Sequence, residues 1–448
     1  MQWSHKAVKN LFMSAERFVI RGERALAGEV SVFGSKNAAT KAMIASLLTD
    51  EPCTIANIPR SQEVAITTEL CERIGSNVAH GLDHFCSIET PEVRVTSVLG
   101  LSRRNRIPIL AIGPLLHRRG EAEVPFLGGD PIGHRPIDFH LEALSRMGAK
   151  IERRADSYYA KAARVRGAEI SFPFPSVGAT ESVLLTAVLA EGDTLIENAA
   201  VEPEVLNLIV MLTAMGALIS CDADRRRIEI RGVVRLSGVR HRVIPDRNEA
   251  VSFAAAALAT GGDVLVRDAD ISHLGAFLDV LQELGGGVRQ EQEGLRFIGA
   301  PAWRNTVIRT APHPGFMTDW QQPLSILLTK AEGASIIHET VYEDRLGYLK
   351  DLARMDARVT VSDECLENSP CRFAGRTFNH SARIEGPSRL KGAEIAITDI
   401  RAGMAHIIAA LAAEGESVIS GVEHIDRGYE RLDDRLRALG ADIQRIAE

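Results

Sequence analysis

Apolar and polar positions along the chain follow one pattern that recurs six times. A short strand runs into a polar turn and an Ala-rich helix. Glu-Gly or Gly-Gly follows, then a strand, a second helix ending near Leu/Met-Gly-Ala, and an apolar strand. The first copy runs from GEVSVFGSKNAATKAMIASLL to ERIGSNV, and the third from ISFPFPSVGATESVLLTAVLAEGDTLIENAA to LTAMGALIS. The fourth runs from HRVIPDRNEAVSFAAAALATGGDVLV to LQELGGGV, and the fifth from IRTAPHPGFMTDWQQPLSILLTKAEGASII to LARMDARV. The sixth runs from AEIAITDIRAGMAHIIAALAAEGESVI to LRALGADI. The second copy is irregular: RIPILAIGPLLHRRGEAEV, then PFLGGDPIGHRP, then FHLEALSRMGAKI.

The second helices stop near Gly75, Gly148, Gly216, Gly285, Asp356 and Gly440, about seventy residues apart. A fixed period of this kind is a structural repeat. Its length exceeds a thin solenoid unit and suits a βαβαββ module that buries its own helices. Glycine just past a helix is a stop signal, because it adopts the left-handed conformation at no steric cost. Helices such as LLTAVLA and HIIAALAAEG carry few charges, which predicts burial nearly all round. Six modules divide into two groups of three, so the fold class is α/β with two similar domains.

Composition narrows the function. A length of 448 residues suits two or three domains. The net charge of −7 argues against a nucleic-acid surface but leaves room for a local basic pocket. The six cysteines (Cys53, Cys71, Cys86, Cys221, Cys365, Cys371) show no CxxC spacing. That argues against a zinc site or a disulfide scaffold and fits a reducing cytoplasm. No apolar run reaches membrane-spanning length, so no membrane insertion is expected. Residues 1–17 lack the apolar stretch of a signal peptide and read as an N-terminal extension.

Chemistry gathers at the strand-to-helix turns, where free helix N–H groups face anions. In order the turns carry Lys36-Asn37, Asp130 to Arg135, Ser176-Val177-Gly178, Asp246-Arg247, Thr318-Asp319, and Asp399 to Arg401. Lys36, Arg106, Arg135 and Arg401 would add full charges for a dianionic or polyphosphate ligand held in a cleft between domains. Asp246 and Asp399 read mainly as helix caps worth about 1 kcal/mol each. Arg103-Arg104 and Arg118-Arg119 read as surface charge. No P-loop, dinucleotide GxGxxG or GxSxG motif is present. His134 and His140 lack the i, i+4 spacing of a metal pair, so no metal and no cofactor is expected.

These blocks resemble the enolpyruvyl transferases. The likeness runs from about Phe18 to the C-terminus through GSKNAA, GEAEVPFLGGDPIGHRPIDFHLEAL, PSVGAT, VIPDR, TAPHPGF, AITDIRA and HIDRGYERLDDRLRALGA. It implies two inside-out, barrel-like α/β domains of three βαβαββ units each, with the active site in the interdomain cleft. Residues 35–243 would form the first domain, with the mobile loop 126–136. Residues 18–34 plus 244–448 would form the second, because the family's first strand belongs to its C-terminal domain.

The implied reaction moves the enolpyruvyl group of phosphoenolpyruvate to the 3-hydroxyl of UDP-N-acetylglucosamine and releases phosphate. Lys36, Arg135 and Arg401 match positions that bind phosphoenolpyruvate, and bidentate arginine suits its phosphate and carboxylate. Asp319 matches the base for the sugar hydroxyl. Asn37 matches a sugar contact. Arg106, the segment Arg135, Pro136, Ile137, Asp138 and Phe139, the turn Ser176, Val177 and Gly178, and Val341 match nucleotide-sugar contacts. Arg345 matches a further arginine of the site. Most of the family carries cysteine where this chain has Asp130, and a minority carries aspartate. An exposed Asp is ionised at neutral pH, so donating a proton to C3 of phosphoenolpyruvate requires burial or an anionic neighbour. Two alternatives are another acceptor such as UMP, and a non-catalytic nucleotide-sugar binding module. The GSKN turn differs from the GDKS type of the shikimate-pathway branch.

Overall fold

The computed structural model describes residues 16–102, 105–128, 133, 136–343, 345–365 and 371–447. They form two compact units. One comprises the described residues of Gly34–Gly129 and Pro136–Ile244. The other comprises those of Lys9–Phe33 and Pro245–Glu448, together with Gly133. Each unit has its own apolar core.

Each unit holds three of the six sheets formed by the described residues, and one strand order recurs. An edge strand runs parallel to the strand that follows the inner helix. That strand pairs antiparallel with the last strand of the module, which pairs antiparallel with the strand after the second helix. In the third module Glu169–Ser171 lies parallel to Asp193–Glu197, which meets Arg227–Arg231, which meets Leu218–Asp222. The fifth module repeats the order with Val307–Arg309, Gly333–His338, Ser381–Gly386 and Arg358–Ser362. Only the second module departs, with a three-stranded sheet.

Two edge strands are exchanged relative to the sequence pattern. GEVSV leads into the first module, yet Ala27–Ser31 pairs in parallel with Asp263–Arg267 of the fourth. Arg240–Arg242 leads into the fourth module, yet pairs in parallel with Cys53–Ala56 of the first. The chain passes from one unit to the other at 33/34 and 244/245, directly after these strands. Each therefore completes the sheet of the unit it is leaving. The strand Glu16–Arg21 likewise fills the sixth module, between Glu416–Ser420 and Asp442–Ala447.

The inner helices are buried as the Ala-rich pattern predicts. All thirteen residues of Arg247–Ala259 and all eight of Gln321–Leu328 are buried. With Ile400–Ala412 they pack against one another at the centre of the second unit. Small side chains allow that close approach, and sheets cover the outer faces. The predicted stops hold residue by residue. Gly75, Gly148, Gly216, Gly285 and Gly440 all have positive φ, and Asp356 takes the same conformation at φ 67°.

One expectation needs correction. Arg118 is not a solvated charge: its guanidinium donates to the carbonyls of Leu47, Thr49, Thr90 and Pro91, at 2.8 to 3.2 Å. These carbonyls lie at the ends of the 3-10 turn Ser46–Leu48 and the strand Phe85–Glu89. The second module keeps the order read from its sequence, with PFLGGDPIGHRP after the inner helix rather than before it. That helix is Ile112–Arg119, entered from Arg106 through the 3-10 turn Ile107–Ala111, and the loop leads into Asp138–Arg146.

Candidate active site

In the second unit, two inner-helix entrances and one loop bring two arginines onto a single carboxylate. Asp319 sits in the 3-10 turn Thr318–Trp320, which starts Gln321–Leu328. Arg401 is the second residue of Ile400–Ala412, and its Nε donates to Asp319 Oδ2 at 3.1 Å. Arg345 approaches from the loop before Leu349–Arg354, and its Nη2 donates to Asp319 Oδ1. The two arginine side chains are 2% and 6% exposed, whereas Asp319 is 18% exposed. The carboxylate is thus the part of this cluster open to a ligand. Burial opposes the charge on Arg345, yet Asp319 and Asp399 hold its guanidinium above the ordinary range. Burial also opposes the charge on Arg401, and Tyr429, Asp319 and Asp246 outweigh it.

Neighbours fix these groups. Tyr429 Oη accepts from Arg401 Nη1 at 2.8 Å and shares a 2.7 Å hydrogen bond with Ser252. With its amide in the orientation that satisfies both ends, Gln322 accepts from Arg345 Nε at 2.8 Å and donates to the Thr318 carbonyl. Glu339, fully buried, accepts from Thr318 Oγ1 at 2.7 Å and from the backbone N–H groups of Val341 and Tyr342 at 2.6 and 2.9 Å. It ties the turn bearing Asp319 to the segment bearing Val341 and Arg345. Burial raises its carboxyl above the ordinary range, against these hydrogen bonds. Asp246 and Asp399 are caps: Asp246 Oδ1 accepts from Asn248 and Glu249 N–H, and Asp399 Oδ1 from Arg401 and Ala402 N–H.

The first unit assembles a second group. Lys36 is the first residue of Lys36–Ala45, behind the Ser35 cap, with Asn37 beside it. Ser176 caps Val177–Ala187, accepting from Ala179 N–H at 3.4 Å. Gly178 lies so close to His140 that a Cβ there would sit 3.0 Å from its ring. Burial first, then the Arg106 charge, pushes the His140 imidazole down to about 3, so it is neutral at physiological pH. Arg106, His140 and the Ser176–Gly178 turn are therefore neighbours. Ile137 and Phe139 are half-buried, with the Phe139 ring 6.0 Å from Phe172, while Pro136 and Asp138 are exposed. Asp130 and Arg135 lie outside the described residues.

Several supports escaped the sequence reading. Glu339 and Tyr429 stand in no helix-entrance turn, although Tyr429 lies inside the recognised block GYERLD, and Gln322 stands at the entrance of Gln321–Leu328 but was not singled out. Lys41 and Glu181 join the helices that begin at Lys36 and Val177, their charges 3.7 Å apart and nearly fully buried. The expectation of no metal rested on cysteine and histidine spacing along the sequence, which does not register ligands gathered by the fold. His338, Cys365, Cys371 and His380 place one ligand atom each within 4.8 Å of all the others.

Comparisons with known proteins follow the same lines. Residues 20–436 match the family model described as EPSP synthase (3-phosphoshikimate 1-carboxyvinyltransferase). The chain is 45% identical over 425 residues to a UDP-N-acetylglucosamine 1-carboxyvinyltransferase of Chlamydia pneumoniae, covering 94% of this chain and 93% of that relative. It is 41% identical over 434 residues to the enzyme so named in Acidiphilium cryptum, covering 97% and 100%. Among solved structures it is similar to the enolpyruvyl transferase NikO from Streptomyces tendae, at TM-score 0.85 and 22% identity, over 97% of this chain and 100% of that one. An EPSP synthase from Acinetobacter baumannii superposes at TM-score 0.70 and 18% identity, with the same coverage. At these identities the two structures speak to the fold alone.

Proposed function

The chain belongs to the EPSP synthase/enolpyruvyl transferase family, and from that premise we propose that it transfers the enolpyruvyl group of phosphoenolpyruvate to the 3-hydroxyl of UDP-N-acetylglucosamine. The reading is supported most by near-full-length similarity to relatives of that name. Such a reaction serves peptidoglycan synthesis and needs no cofactor.

The chemistry is addition followed by elimination. C3 of phosphoenolpyruvate takes a proton, and C2 becomes electron-poor. The sugar 3-hydroxyl attacks C2 and gives up its proton. The C2–O bond to phosphate then breaks, C3 loses a proton, and the carbon–carbon double bond re-forms. Asp319 accepts the hydroxyl proton. Its carboxylate is aimed by two arginines, Arg345 and Arg401, which cannot themselves act as bases at neutral pH. Arg401, Lys36 and Arg135 neutralise phosphoenolpyruvate. Asn37, Arg106, the Ser176–Gly178 turn, the segment Arg135 to Phe139, and Val341 hold the nucleotide sugar. Asp130 delivers the proton to C3, on a glycine-rich loop able to close over the substrates. A carboxylate there is a far poorer nucleophile than a thiolate, so the enzyme resists fosfomycin, which alkylates the family's cysteine.

The test of Asp319 is Asp319→Asn. Turnover falls by ~100-fold or more, while titration calorimetry still detects UDP-N-acetylglucosamine binding. Turnover within a few-fold of the parent removes Asp319 from the mechanism.

A further inference from the structure

The segment 363–380 leaves the sheet of the fifth module after Arg358–Ser362 and returns at Ser381–Gly386. Its described residues form only turns. At its root lie four groups of one chemical kind. His338 ends the central strand Gly333–His338, opposite Ser381. His380 immediately precedes Ser381, its carbonyl accepting from Glu339 N–H at 2.8 Å. Cys365 and Cys371 lie on the excursion itself.

The four side chains point at one another. His338 Nε2 is 3.2 Å from Cys371 Sγ, and His380 Nε2 is 3.4 Å from Cys365 Sγ. All four donor atoms lie within 4.8 Å of each other. Metal bonds of ~2.3 Å to sulfur and ~2.0 Å to nitrogen set the edges of a tetrahedron at ~3.3 to 3.8 Å. The observed cluster has two such edges already and needs modest contraction for the rest.

The surroundings are those of a ligand set. His380 Nδ1 is 3.1 Å from the Phe378 carbonyl; donating a proton there leaves the Nε2 lone pair facing inward. The Phe373 backbone N–H donates to Cys371 Sγ at 3.3 Å, which favours a thiolate. The rings of Phe373 and Phe378 flank His380, with centroids 5.8 and 6.1 Å away. Both histidines are fully buried, and both cysteines are free thiols. Two imidazoles and two thiolates in tetrahedral reach suit zinc above harder cations.

We propose that His338, Cys365, Cys371 and His380 bind one Zn²⁺, which pins the 363–380 excursion to the sheet. With four protein ligands the site is closed, and its role is structural rather than catalytic. It neighbours Glu339, so the ion would also steady the buttress between Val341 and Thr318. The proposal is independent of the enolpyruvyl reaction.

The experiment uses the full chain. Protein purified under reducing conditions is incubated with Zn²⁺, desalted, and analysed by plasma mass spectrometry. One zinc per chain is expected, falling to background in Cys365→Ser/Cys371→Ser and unchanged in Cys221→Ser. Should the double variant fold poorly, Co²⁺ added to the metal-free parent supplies the second readout. Thiolate-to-cobalt charge transfer and intense tetrahedral bands are expected. Zinc at background in the parent, equal zinc in the double variant, or an octahedral cobalt spectrum would each overturn the proposal. A Cys365–Cys371 disulfide as the resting state would do so as well.

Discussion

Replacing Glu181 by Gln should flatten the pH dependence of stability. Glu181 is 1% exposed, its Oε2 lies 3.7 Å from Lys41 Nζ, and neither carboxylate oxygen has a hydrogen-bond partner among the described residues. Burial pushes its carboxyl up from 4.5 to about 7; Lys41 opposes the rise, and Glu204 and Glu202 reinforce it. The folded chain therefore binds this proton more tightly than the unfolded chain. The stabilisation is full below the unfolded value and is lost as pH rises through the folded one. Between about pH 5 and about pH 8 this group alone removes about 2 to 3 kcal/mol. Glu181→Gln abolishes that slope. Loss of the contact with Lys41 lowers the stability of the variant at both pH values. Urea unfolding at the two pH values measures the difference, with hydrogen exchange in Val177–Ala187 assigning it to this unit. Parallel pH profiles for parent and variant would refute the reasoning. So would a parent that gains stability, relative to the variant, as pH rises.

Two further variants separate chemistry from binding. Asp130→Asn should abolish phosphate release while calorimetry still registers nucleotide-sugar binding; near-parental turnover refutes the proton-donor role. The parent enzyme should stay active after prolonged fosfomycin treatment, and a covalent adduct at Asp130 in mass spectrometry contradicts that. Gly178→Ala places a Cβ 3.0 Å from the His140 ring. The neutral imidazole must shift by a few tenths of an ångström, at a cost of about 1 kcal/mol or more. KM for the sugar nucleotide should rise more than kcat falls, and unchanged KM and melting temperature would detach this turn from the substrate.

Much of the fold is legible because its determinants are local. Ala-rich runs mark helices that must approach one another closely, and Gly75, Gly148, Gly216, Gly285 and Gly440 mark the left-handed stops. Asp356 is readable as a stop only through the repeat, since its residue type does not announce a positive φ. The partners of Ala27–Ser31 and Arg240–Arg242 were not legible in the strands themselves, because a strand's alternation does not name its partner, and only the family likeness set residues 18–34 with the second domain. Helix-entrance chemistry led to Asp319 and Arg401, and family likeness added Arg345. Their convergence on one carboxylate is tertiary. Glu339 and Arg118 were missed for the same reason: each has partners remote in sequence, the Thr318 hydroxyl for Glu339 and four carbonyls for Arg118. The His338, Cys365, Cys371 and His380 cluster escaped a search for CxxC because two of its ligands are histidines flanking strand ends.

The central claim is enolpyruvyl transfer to a nucleotide sugar. The direct measurement incubates the purified chain with phosphoenolpyruvate and UDP-N-acetylglucosamine, following phosphate by colorimetry and the sugar nucleotide by mass spectrometry. The account predicts one phosphate for each enolpyruvyl-UDP-N-acetylglucosamine formed, and none when the sugar nucleotide is omitted or replaced by UMP. No phosphate with the full mixture, or equal release with UMP, would contradict it.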